Sequence, residues 1–139
     1  MAKLNLFIDT NIIIDLLADR KPFSNAAYEV FHTANLKKWN LYTSSNSILT
    51  SYYIIEKHLS SNKAKRALNT ILKRIQIQDL SKGDLQSALK SKIEDLEDAS
   101  QDECANKIGK IDFIITRDKK GFKHSKFQVL TSAELVTLK

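Results

Sequence analysis

Short apolar runs alternate along this chain with longer segments of helical periodicity, and two of those runs are cut off by an acid. "LFI" leads directly into Asp9, and "FIIT" leads, after one arginine, into Asp118. Near-continuous apolar runs of this length suit strands buried on both faces, as in parallel sheets. Residues 4–8, 39–44 ("WNLYTS"), 75–80 ("IQIQDL"), 112–116 ("DFIIT") and 127–131 ("FQVLT") read as strands. Their alternation with helices predicts an α/β fold: a mostly parallel central sheet flanked by helices on both faces. At 139 residues the chain suits one domain, residues 1–139.

Local signals set the expected helix limits. Thr10 or Asn11 stands near the N-cap of the first helix, and Pro22 suits the first turn of the second. Ser45 or Asn46 is the expected cap of the third, and residues 62–73 make the fourth. Ser81 with Asp84, and Thr131 with Glu134, have capping-box spacing. The apolar period breaks near Glu94 and Asp95, which predicts a new helix from Glu97 with Gly109 as its stop. Asp15 is expected at an exposed or peripheral position on the first helix.

Ligands of open parallel sheets bind beyond the carboxyl ends of the strands. Asp9 and Asp118 follow two such strands, so both are expected on one rim. Asp98 and Asp102 lie one helical turn apart, so they share a face of the helix that starts there. If that helix start meets the rim, Asp9, Asp98 and Asp118 converge, with Asp102 deeper along the same face. Each acid also has an ordinary explanation, as a helix cap, a turn residue or a partner of a helix dipole. Clustered carboxylates repel one another, and a divalent cation is the natural compensation; all-oxygen ligands point to Mg2+ or Mn2+. His32, His58, His124 and Cys104 lack the spacing of a zinc site.

Charge is segregated along the chain. Residues 36–74 hold eight Lys/Arg and one acid, residues 79–103 eight acids and three lysines, and residues 104–139 eight Lys/Arg and three acids. A basic surface around an acidic patch suits a polyanion such as RNA, although runs of charge also occur as plain solvated helix faces. A single cysteine excludes an internal disulfide, and neither a signal-peptide pattern nor a membrane-length apolar run is present. A soluble cytoplasmic protein with no membrane partner is the expectation.

"FIDTNIIIDLL", "DLEDASQDECA" and "DFIITRDKKGF" stand in the order and spacing of the motifs of another group of proteins. On these three segments the chain resembles PIN-domain nucleases, above all the small single-domain toxins of bacterial VapBC-type toxin–antitoxin pairs. The resemblance covers essentially the whole chain and implies a PIN-like, Rossmann-like sandwich and a metal-dependent endoribonuclease. It implies that Asp9, Asp98 and Asp118 are the catalytic, metal-binding acids, with Asn11 and Thr116 orienting them or the bound water. Arg117, Lys119 and Lys120 are candidates to hold the RNA backbone. An antitoxin blocking the acidic pocket with an Arg or Lys, and a homodimer, are the implied partners.

The chain departs from the family at one position. A glutamate early in the helix after the second strand is usual, and Thr50 or Ser51 stands in the matching stretch. Glu56 lies roughly 120° off that face and cannot substitute. Glu97 and Asp102 are the available compensating acids, and Asp102, sharing a face with Asp98, is the better candidate. The alternative reading is a catalytically weak or inactive PIN-like module that binds RNA or a protein. A phosphatase with an Asp9 nucleophile is disfavoured, because Asn11 stands where its acid/base aspartate belongs.

Overall fold

The computed structural model describes residues 3–138. Among them, five strands form one sheet. At its centre is β1 (Asn5–Ile8); β2 (Asn40–Ser44) and β3 (Gln76–Gln78) follow on one side, β4 (Phe113–Ile115) and β5 (Gln128–Leu130) on the other. Every pairing is parallel, so the sheet expected to be mostly parallel is wholly so. Parallel neighbours need crossover connections, supplied here by α1 (Thr10–Leu17), α2 (Ser24–Lys37), α3 (Ser45–Ile55), α4 (Ser61–Leu72), α5 (Lys82–Leu89) and α6 (Leu96–Ile108). A 3-10 turn (Lys120–Phe122) links β4 to β5, and α7 (Ser132–Leu138) ends the described chain.

Side chains alternate across β1, which is why an unbroken apolar run suits it. Leu6 and Ile8 enter one core with Ile12, Val30, Ile55 and Leu135, beneath α1, α2, α3, α4 and α7. Phe7 faces the opposite way, with Tyr42 and Ile114 beside it in register, and packs with Ala99, Cys104 and Phe122 beneath α5 and α6. Cys104 is fully buried, and that burial pushes its thiol up to about 12, which makes it an inert core residue.

Helix starts differ from the sequence reading by one or two residues, each for a local reason. Asp9, rather than Thr10 or Asn11, caps α1, its carboxylate accepting the Thr10 N–H at 2.9 Å. Ser44 caps α3 in place of Ser45 or Asn46, accepting from the Ser47 N–H. Pro22 precedes α2 instead of opening it, because the Phe23 and Ser24 N–H groups both turn back to the Arg20 carbonyl. The capping boxes at Ser81/Asp84 and Thr131/Glu134 are formed. Gly109 ends α6 at φ 84, where a side chain would be strained. Among the described residues, no helix is long and apolar enough to cross a membrane.

Candidate metal and active site

Because β1 and β4 are parallel neighbours with Ile8 opposite Ile115, the residues that follow them emerge side by side at the carboxyl edge. Asp9 comes from the first and Asp118 from the second. Asp95 caps α6 through the Asp98 N–H, which sets Asp98 in the first turn of that helix, against the same edge. Asp9, Asn11, Thr50, Glu97, Asp98 and Asp118 line one cleft of about 450 Å³.

Asp98 and Asp118 come together at Gly121. A Cβ on residue 121 would overlap the Oδ2 atoms of both carboxylates, and the Gly121 N–H donates to Asp118 Oδ1 at 3.1 Å. Gly121→Ala is therefore expected to drive the two carboxylates apart and cut the activity of the site about tenfold or more, read as kcat, while the fold survives. Burial, followed by the charges of Asp9, Asp95 and Asp118, pushes Asp98 up to about 7.

Asp9 is only 3% exposed, and both its oxygens are engaged. Oδ1 accepts from the Thr10 N–H and from Gln101 Nε2 at 3.0 Å; Oδ2 accepts from Thr116 Oγ1 at 2.7 Å and Asn11 Nδ2 at 3.4 Å. Burial raises its pKa, while the Thr116, Gln101 and Thr10 hydrogen bonds favour the carboxylate. Thr116 Oγ1 also accepts the Asp118 N–H at 3.0 Å, so one hydroxyl fixes Asp9 and the backbone that carries Asp118. Gln101, with no exposed surface, joins Asp9 to the hydroxyls of Ser44 and Ser47 at 2.5 and 2.7 Å. The carboxylate is thereby held in a rigid cage of donors.

A family model described as the PIN domain matches residues 5–120. The chain belongs to the PIN domain family. It is 28% identical over 134 residues to Ribonuclease VapC1 of Aquifex aeolicus, covering 93% of this chain and 91% of that protein. Its fold is similar to that in the DNA-bound VapBC2 structure from Rickettsia felis (TM-score 0.67, 20% identity, 91% of this chain and 97% of that one). VapBC-1 from nontypeable Haemophilus influenzae is similar too (TM-score 0.67, 18% identity, 94% and 99%).

In this PIN domain the expected residues separate into two groups. Asp9, Asp98, Asp118, Asn11, Thr116 and Thr50 are gathered at the rim. Asp102 is not: it accepts a hydrogen bond from Ser125 Oγ at 2.5 Å, away from the cleft. Relative to Asp98, Gln101 lies roughly −60° and Glu97 roughly −100° around the helix, whereas Asp102 lies roughly +40°. The rim faces the negative side, so Glu97 turns in and Asp102 turns away. Glu97 accepts from Thr50 Oγ1 at 3.4 Å and Asn46 Nδ2 at 3.3 Å, and burial and the Asp9 charge raise its pKa.

Asp15 also differs from expectation. It is 1% exposed and takes both Arg20 Nε, at 2.9 Å, and Arg117 Nε, at 2.8 Å. Arg117, whose guanidinium also lies 3.9 Å from the Phe23 ring centre, is held by this pairing at the wall of the cleft. Lys119 is paired with Glu134 at 3.0 Å, while Lys120 borders the acidic cleft beside Asp118. Sequence reasoning missed Gln101 and Gly121. The signal for Gln101 was its place three residues after Asp98, on the neighbouring part of one helix face; for Gly121 it was a lone glycine in an otherwise charged turn.

Proposed function

We propose that this PIN domain is a divalent-metal-dependent endoribonuclease and the toxin of a toxin–antitoxin pair. The convergence of the Asp98 and Asp118 carboxylates beside a buried Asp9 carries the reading. Among the described residues no three His, Cys, Asp or Glu side chains stand together as a ready-made metal cage. Mg2+ does not need one, since it keeps several waters and takes one or two carboxylates. The absence of a side chain at Gly121 lets the Asp98 and Asp118 carboxylates approach each other there, and two clustered carboxylates suit such an ion.

Asp98 and Asp118, with Asp9, would hold Mg2+ or Mn2+. Held there, such an ion would supply activation of a water for in-line attack on a phosphodiester and stabilisation of the leaving oxygen. The chain's own contribution is positional. Thr116, Gln101 and the Thr10 N–H keep Asp9 in one rotamer; Gly121 admits the Asp98 and Asp118 carboxylates side by side; Lys120, beside Asp118, would meet a phosphate bound there. The relatives support the class of reaction and of partner: one is named a ribonuclease, and two similar folds belong to VapBC proteins. An antitoxin reaching into the cleft with a cation, and a second copy of this chain, are the partners this reading implies.

Thr50 in place of an acid favours the second reading, a non-catalytic binding module. Glu97 weighs against it, because its carboxylate lies beside the Thr50 hydroxyl and restores negative charge there. Glu97→Gln is expected to lower kcat about tenfold or more, and Asp102→Asn to leave it nearly unchanged. Incubating the pure protein with single-stranded RNA and Mg2+, beside Asp9→Asn and Asp118→Asn, tests the reading. Cleavage by the wild type alone supports it; equal, negligible cleavage by all three removes it.

A further inference from the structure

The opposite edge of the sheet carries a pocket of a different character. It encloses about 390 Å³ and is lined by Lys3, Lys38, Lys73 and Arg74, with Asn35 at its side and the buried Trp39 as a wall, and it contains no acid. In a parallel sheet all amino ends share one edge, so the residue before β1, the α2–β2 junction and the α4–β3 junction are brought together there. Lys3, Lys38 and the Lys73–Arg74 pair are far apart in sequence and brought together only by the fold.

Three observations mark this as more than a solvated surface. None of the four cations has an ion-pair partner among the described residues, which is common for this chain's surface lysines, but here four such charges share one acid-free concavity. Lys38 holds φ 60 at the end of α2, a left-handed conformation for which glycine is the usual residue. Helix C-termini favour cations, and α2 and α4 both end here, but that does not account for Lys3, which precedes a strand. Four positive charges with no acid among them on one concave surface favour the entry of an anion.

We propose that this pocket binds the phosphate backbone of a polynucleotide, as an anchor at the pole opposite the acidic rim. The proposal rests on the RNA-substrate reading for the identity of the chain it holds. A strand engaged at both poles must wrap the domain, so only a long RNA gains from both sites at once, whereas a short one occupies a single site. Phosphate contacts of this kind add affinity without reading sequence.

The test measures binding of fluorescent single-stranded RNAs of about 30 and about 6 nucleotides in EDTA, with cleavage of the short RNA assayed separately in Mg2+. For Lys73→Ala/Arg74→Ala, affinity for the long RNA is expected to fall about tenfold, and the slope of log affinity against log salt to become shallower by about 1.4. Cleavage of the short RNA, which needs only the rim, stays at the wild-type level. Lys38→Gly is expected to weaken long-RNA binding with no drop in Tm, since glycine is at ease at that φ; a merely structural role would not produce that combination.

Unchanged long-RNA affinity and salt slope in both variants overturn the proposal. So does AMP binding as tightly as the long RNA with loss in the same variants, which would make the pocket a site for a free phosphate monoester. If the wild type cleaves no RNA but these binding differences appear, the anchor stands and the nuclease reading fails. Cleavage without the differences is the reverse.

Discussion

Asp98→Asn is expected to abolish RNA cleavage and, in the metal-free protein at about pH 8, to raise the melting temperature. Both effects come from one crowded carboxylate. Asp98 sits among the charges of Asp9, Asp95 and Asp118, and its pKa in the folded protein is about 7, against a usual carboxylate value near 4 when unfolded. Between those values the folded state holds a proton that the unfolded state has lost. The stabilisation is complete below about pH 4 and disappears as pH rises through about 7. Metal-free wild type should therefore melt at a lower temperature at about pH 8 than at about pH 5, with a shallower decline in Asp98→Asn. The same substitution removes a charge on which the proposed reaction depends, and a loss of kcat on the order of 10²-fold or more is expected. A variant that keeps its activity, or melts below the wild type at the higher pH, would break this link between strain in the site and its function.

The second large effect is on stability. Asp15→Ala deletes a carboxylate that is 1% exposed and leaves two guanidinium groups without their acceptor. Removing one partner of a fully buried ion pair costs about 3–5 kcal/mol. Arg20 and Arg117 each keep about a third of their side-chain surface in water, 33% and 31%, which offsets part of that cost. A loss of about 2–3 kcal/mol is expected, read from urea unfolding as a lower midpoint with unchanged slope. Arg117→Ala alone should cost less, because Asp15 retains Arg20. Asp15 also holds both arginines at the cleft wall.

The architecture was legible because the inner strands β1, β2 and β4 are largely buried and read as apolar runs, while the exposed edge strand β3 shows instead as an alternation. The rim was legible because, in a parallel sheet, residues after Ile8 and Ile115 must emerge on one edge. Caps were missed by a single residue where several hydroxyl or amide candidates stand in a row, as in Ser44, Ser45 and Asn46; only the backbone turn decides between them. The choice between Glu97 and Asp102 depended on which side of α6 meets the sheet, an angle that helical spacing alone does not supply. Asp15 looked peripheral because its partner Arg117 is 102 residues away. Gly121 matters through two carboxylates that approach it only in the folded chain.

The central claim is that Asp9, Asp98 and Asp118 form one divalent-cation site. Calorimetric titration of the metal-free protein with Mn2+ tests it most directly. Binding by the wild type that is lost in Asp98→Asn and Asp118→Asn, while Asp102→Asn binds as the wild type does, is the predicted result. No binding by a folded wild type, or equal binding by all four proteins, would contradict it.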